Sequence, residues 1–173
     1  MAEQYTLALP LSPDATFANY IGEASAKLAH LESWNVIWGK PGSGRSHLLQ
    51  ALCRDDAEQI KSDYIYLAAL NKLDPEVLRN LEMYTVVCLD DVDDVFGEKA
   101  WEEALFHLLN SCKDLGTQVV LSVQEPIANH NIGLLDLKSR LSSALAIETD
   151  QPGDAENPGG SPRGDAGAPG NDR

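Results

Sequence analysis

The chain is short of positive charge. Thirteen Lys and Arg stand against 27 Asp and Glu, a formal net charge of −14. That balance opposes a broad phosphate-neutralising surface and argues against direct, sequence-specific DNA binding. Cysteine is scarce too. Cys53, Cys88 and Cys112 are far apart and form no C-x-x-C pair, which speaks against a disulfide framework or a cysteine metal site and suits a reducing compartment. No apolar run approaches the roughly 18 residues a membrane span needs. Met1-Ala2-Glu3-Gln4 lacks the basic start and apolar core of a secretory signal, so the expected location is cytoplasmic, away from membranes. What is present, 43% hydrophobic and 23% charged residues over 173 positions, describes a globular protein with one substantial core.

Apolar spacing along the chain alternates between strand and helix periods. Residues 1–13, with Pro10 and Pro13, read as extended. Phe17, Ile21, Leu28 and Leu31 suit short helical segments between Asp14 and Glu32. Strands are expected at Asn35–Gly39, Tyr64–Ala68, Thr85–Asp90, Thr117–Ser122 and Ala144–Thr149. Helices are expected at Ser46–Lys61, from Asp74-Pro75 to Glu82, at Glu98–Leu115 and at Leu134–Ser143. Such alternation predicts an α/β fold, a parallel sheet with helices on both faces. Residues 150–173 hold six glycines, four prolines and no aromatic or branched aliphatic residue. A segment of that composition cannot bury enough apolar surface to offset its ordering entropy, and disorder is expected. The organisation is thus an N-terminal segment 1–13, a core 14–149 and a tail 150–173.

Gly39-Lys40-Pro41-Gly42-Ser43-Gly44-Arg45-Ser46 has the pattern of a phosphate-binding loop, G-x-x-x-x-G-K-[ST], except that Arg45 stands where lysine belongs. The glycines let backbone N–H groups wrap phosphates, the basic residue reaches the outer phosphates, and the hydroxyl of Ser46 can ligate Mg²⁺. Arginine keeps the charge but exchanges a compact ammonium for a planar fork. The loop suggests binding of ADP or ATP and casts doubt on fast hydrolysis. Asp90-Asp91 closes the apolar strand that follows. Asp90 there can hold the Mg²⁺ bound by Ser46, and Asp91 can orient water. Asp93 and Asp94 read as a solvated acidic loop that caps the next helix. His47 either approaches the nucleotide or packs. The three cysteines read as core or helix residues.

Gly44-Arg45-Ser46-His47-Leu48-Leu49-Gln50-Ala51 resembles the Walker A helix of the DnaA replication-initiator family of AAA+ P-loop proteins. Val87-Cys88-Leu89-Asp90-Asp91-Val92 is similar to its Walker B strand. Trp101-Glu102-Glu103-Ala104-Leu105-Phe106-His107-Leu108-Leu109-Asn110 and Asp136-Leu137-Lys138-Ser139-Arg140-Leu141 continue the likeness in order. It spans about residues 4 to 149. Arg45 and the first residues point to the branch of regulatory inactivators of DnaA. Gln4-Tyr5-Thr6-Leu7-Ala8-Leu9-Pro10 is similar to that branch's peptide for the DNA polymerase III beta sliding clamp, in which Gln4, Leu7 and Leu9 would contact an apolar cleft. The resemblance implies that Phe17 to Ile21 lie beside the adenine, or else that Phe17 is ordinary helix packing. It implies that Arg140 is an arginine finger aimed at the γ-phosphate of a neighbouring subunit. It places Gln124 at the sensor 1 position, where the family often has aspartate, and nothing in 150–173 resembles the family's C-terminal lid. A regulator acting on DnaA and the clamp is therefore expected, with homo-oligomerisation open. The other readings are an ATPase in its own right, initiator or helicase loader, and an inactive truncated paralogue.

Overall fold

The computed structural model describes residues 11–20, 22–28, 32–55, 62–66 and 74–149, with the backbone alone at 55 and 62–66. Five strands, β1 (Trp34–Trp38), β2 (Ser62–Tyr66), β3 (Val86–Asp90), β4 (Gln118–Val123) and β5 (Leu145–Glu148), form one sheet in the order β2-β3-β4-β1-β5. Every pairing is parallel. Among the described residues the α-helices are α1 (Ala24–Lys27), α2 (Arg45–Asp55), α3 (Lys99–Leu115) and α4 (Leu135–Ser142).

Alternate residues of the central strands face opposite sides, and each side has its own helices. Ile37, Val86, Cys88, Val120 and Ile147 pack with Ala24 and Leu28 of the α1 region and Leu48, Leu49 and Leu52 of α2. Val36, Val87, Leu89, Val119, Leu121 and Val123 pack with Trp101, Leu105, Leu109 and Cys112 of α3 and Leu137 and Leu141 of α4. Two-sided burial is why β3 reads as an unbroken apolar run; all five of its residues are buried. The inward residues of α3 recur at the helical period, and Gly116 ends it in the left-handed region, φ 77°. The three cysteines are buried. Burial, then the charge of Glu82, pushes the Cys112 thiol up to about 12, so it stays protonated.

Several boundaries differ from the sequence-based expectation. The helix expected from Asp74 to Glu82 is two 3₁₀ turns, Pro75–Leu78 and Leu81–Met83, parted by Asn80 at φ 64°. Leu78 and Leu81, both buried, are three residues apart, the 3₁₀ period rather than the α period. The cap and the first-turn proline stand as expected, with the Asp74 carboxylate accepting from the Glu76 N–H at 2.9 Å. β2 starts at Ser62, earlier than Tyr64. α2 is described to Asp55, and residues 56–61 lie outside the described part. Asp93 and Asp94 do not cap the next helix. They lie in a 3₁₀ turn, Val92–Val95, and the N-cap of α3 is Glu98, without a side-chain cap bond. Glu102 serves that end instead, accepting the Gly97 N–H at 2.8 Å.

Candidate functional site

With every strand parallel, the C-terminal ends of β1, β3, β4 and β5 open on one edge. That edge carries Gly39, Asp90-Asp91, Gln124 and Thr149. β1 runs into the phosphate loop, whose first N–H, from Gly39, donates to the Val123 carbonyl at 3.3 Å. Gly42 and Gly44 take φ of 82° and 86°, and α2 begins at Arg45. The first-turn N–H groups of α2 have no partner within the helix, which makes its start a ready anion site. Gly44 has a second constraint, since a Cβ there would meet the Tyr20 ring at 2.8 Å. Gly44→Ala is thus expected to lower stability by about 1–3 kcal/mol and to weaken nucleotide binding, read by thermal melting with and without ADP.

The base of the loop is closed by a residue that sequence reasoning missed. The Thr149 hydroxyl lies 2.6 Å from Ser43 Oγ and donates to the Trp38 carbonyl at 3.2 Å. A Cβ on Gly39 would strike that hydroxyl, so Gly39 answers to close packing. Ser43 and Arg45 are buried, while Ser46 is half-buried.

The arginine at the lysine position is already engaged. Arg45 Nη1 lies 3.1 Å from Asp91 Oδ1, with the two side chains only 8% and 16% exposed. Neither of those two atoms makes a hydrogen bond of good geometry, so the pair is a charge contact whose directional capacity is unused. Asp91 sits at φ 52°, a sparsely used conformation for a residue other than glycine. Asp90 is fully buried, and its carboxylate accepts from the Ser122 hydroxyl. That hydroxyl in turn accepts the Asp91 N–H at 2.8 Å. Ser122, also missed from sequence, joins β3 to β4 at the site. The visible signal was a polar residue inside the apolar run Val119–Val123.

Carboxylates crowd this edge. Burial first, then the charge of Asp90, raises the Asp91 pKa; Arg45 pulls it back, and Asp93 and Asp94 add to the rise. Asp94 is raised by burial and by Asp93, against Arg45. A divalent cation arriving with phosphates would relieve the excess negative charge. Mg²⁺ needs few protein ligands and keeps its waters, so the hydroxyl of Ser46 and the carboxylate of Asp90 suit it, while the loop N–H groups and Arg45 suit the phosphates. Among the described residues no group of three or more His, Cys, Asp or Glu forms a metal cluster.

Other expected positions fall as follows. Phe17 begins a 3₁₀ turn and is half-buried against the α2 side of the core. The His47 ring donates through Nε2 to the Thr16 carbonyl at 2.6 Å and lies 5.8 Å from the Tyr20 ring. It ties the turn preceding α1 to the start of α2. Gln124 is exposed, and its backbone N–H donates to Asp93 at 3.2 Å. Gln4, Leu7, Leu9 and the tail 150–173 lie outside the described residues.

Arg140 stands apart from all of these. It lies on α4, half-buried, with its guanidinium over the Phe106 ring at 4.8 Å and the Trp34 ring at 5.3 Å. Trp34 is the first residue of β1, and the phosphate loop follows the last, Trp38. Four strand residues separate these ends by about 13 Å, so Arg140 is at the opposite edge from the chain's own loop. Of the four arginines among the described residues, Arg45 and Arg79 pair with carboxylates and Arg54 donates to the carbonyls of Pro13 and Leu11. Arg140 has rings and no oxygen partner among those residues.

A cavity of about 520 Å³ opens elsewhere, between the Pro75–Met83 turns and the outer face of α3, with Asp74, Arg79, Glu82, Glu103 and His107 in its wall. None of its lining belongs to the phosphate loop. Among the described residues no helix is long and apolar enough to cross a membrane.

Solved structures with this fold include domain III of the Thermotoga maritima replication initiation protein DnaA, at 24% identity and a TM-score of 0.67 over 82% of this chain and 69% of that one. AMPPCP-bound DnaA from Aquifex aeolicus matches at 22% identity and 0.67, over 82% of this chain and 52% of that chain, so this chain spans about half the length of that protein. The Thermotoga maritima RuvB Holliday junction branch migration motor matches at 17% and 0.55, over 81% and 49%. These likenesses show the α/β fold. The family described as the bacterial DnaA ATPase domain matches residues 11–148, and the chain belongs to that family.

Proposed function

We propose that the chain is a regulator of replication initiation of the Hda type, holding a nucleotide in order to act on the ATP of another protein. The observation that carries this reading is Arg140: a guanidinium without an oxygen partner among the described residues, in a chain of net charge −14, at the edge opposite its own phosphate loop. A phosphate meeting Arg140 belongs to a second molecule. In this reading ADP or ATP rests on Gly39, Gly42, Ser43, Gly44, Arg45, Ser46 and His47, with Phe17 beside the base and Gln124 and Asp91 near the outer phosphates. Mg²⁺ is held by Ser46 and Asp90. Arg45 exchanges Asp91 for phosphate oxygens, which suits holding better than turnover. The partner is ATP-bound DnaA, and the sliding clamp brings the two together through Gln4, Leu7 and Leu9.

The test is the rate at which DnaA-bound ATP becomes ADP on clamp-loaded DNA, with and without this protein. Acceleration is expected; an unchanged rate overturns the reading. Replacing Gln4, Leu7 and Leu9 together with alanine removes two apolar anchors worth about 1.5–3 kcal/mol each. Clamp affinity in a pull-down should fall by roughly 100-fold or more while the melting temperature holds.

A further inference from the structure

Helix α3 meets the start and the finger of α4 with two residues one turn apart on the same face, Glu102 and Phe106. The Glu102 carboxylate accepts N–H groups from Gly133 at 3.0 Å and Leu134 at 2.8 Å, just before Leu135 opens α4. Phe106 lies under the Arg140 guanidinium. From the sheet side Trp34 adds a second ring, itself fixed by donating Nε1–H to the Leu109 carbonyl of α3 at 3.4 Å, with Lys113 Nζ 5.4 Å from the same ring.

We propose that Phe106 and Trp34 are positioning residues for Arg140, holding its guanidinium, which has no oxygen partner among the described residues, so that its N–H fork meets the phosphate of a docked, nucleotide-bound partner. An arginine side chain loses considerable rotamer freedom when ordered. Two rings within cation–π range restrict it before docking. They engage the delocalised cation through their π faces and consume none of its hydrogen-bond donors. The same rings carry no carboxylate, so the cation is held without being neutralised. Trp34 serves two cations at once, Arg140 and Lys113. The proposal rests on the trans role of Arg140 given above.

The experiment measures hydrolysis of DnaA-bound ATP against concentration of this protein, for the wild type, Arg140→Ala, Phe106→Leu and Phe106→Trp. Phe106→Leu keeps apolar bulk and should lower maximal stimulation roughly tenfold, leaving the half-saturating concentration within about twofold; Phe106→Trp should restore it. A purely structural role would instead shift half-saturation and melting together. Full stimulation by Phe106→Leu, with Arg140→Ala inactive, overturns the positioning role and leaves the trans reading standing. Wild-type stimulation by Arg140→Ala overturns the trans reading instead. A second measurement needs no partner: the NMR resonance of the Arg140 Nε–H should be displaced by ring current in the free protein and return toward the random-coil position in Phe106→Leu. No displacement in the wild type overturns the cradle itself.

Discussion

Replacing Arg140 with alanine is expected to reduce the stimulated hydrolysis of DnaA-bound ATP by roughly 10³-fold, within the 10³–10⁵ range of arginine fingers. The size follows from where charge develops. As the γ-phosphoryl group departs, negative charge spreads over its oxygens, and a fork of fixed N–H donors is worth most at that moment. Clamp binding, which in the proposed reading rests on residues 4–9, should not change. Stability should change little. The guanidinium makes no ion pair among the described residues, so its removal forfeits contacts with Phe106 and Trp34, about 1 kcal/mol. Arg140→Lys keeps the charge and loses the planar fork, and should recover only a minor part of the rate. Single-turnover hydrolysis on preloaded ATP-DnaA reads the effect. A variant that stimulates as well as the wild type would remove the finger.

How much of this was legible beforehand differs by element. The sheet and α3 were, because burial on both faces leaves long apolar runs and a helix of seventeen residues averages out local ambiguity. The glycine turn between β1 and α2 was, since Gly42 and Gly44 sit at fixed offsets and take positive φ. The turns at Pro75–Met83 were not. Leu78 and Leu81 satisfy helical spacing loosely, and only the left-handed Asn80 shows that the chain breaks between them. Ser122 and Thr149 were missed because a lone hydroxyl in or beside an apolar strand does not say which group it will bond. Their roles exist only once β3, β4, β5 and the loop share an edge. The Arg45–Asp91 contact joins residues 46 positions apart, and no local pattern encodes it. For Arg140 the sequence supplied a motif but not its setting. That its neighbours are rings rather than carboxylates, at the far edge of the sheet, is a tertiary fact.

Glu102 carries the largest expected effect on stability. It is buried, 2% exposed, and its two oxygens accept three backbone N–H groups, from Gly97, Gly133 and Leu134. It thereby closes the first turn of α3 and pins the start of α4. Burial pushes its pKa up, but the three N–H bonds outweigh burial and the net shift is downward from 4.5. A carboxylate with a depressed folded pKa contributes stability that is present above its unfolded value and is lost as pH falls through the folded one. Glu102→Ala strands buried donors and should cost about 3–5 kcal/mol at neutral pH, a fall in melting temperature on the order of 10 °C. Glu102→Gln can still accept at one oxygen but turns an amide toward another N–H, so about 1–3 kcal/mol is expected. The deficit of either variant, measured by urea unfolding at pH 7 and again below pH 4.5, should shrink at the lower pH as the wild-type carboxylate takes up its proton. Asp91 and Asp94 move the other way. Their raised pKa values mean that their contribution improves as pH falls, and it cancels when each variant is compared with the wild type. A deficit that stayed constant across that window would show Glu102 acting through packing volume and not through its charge.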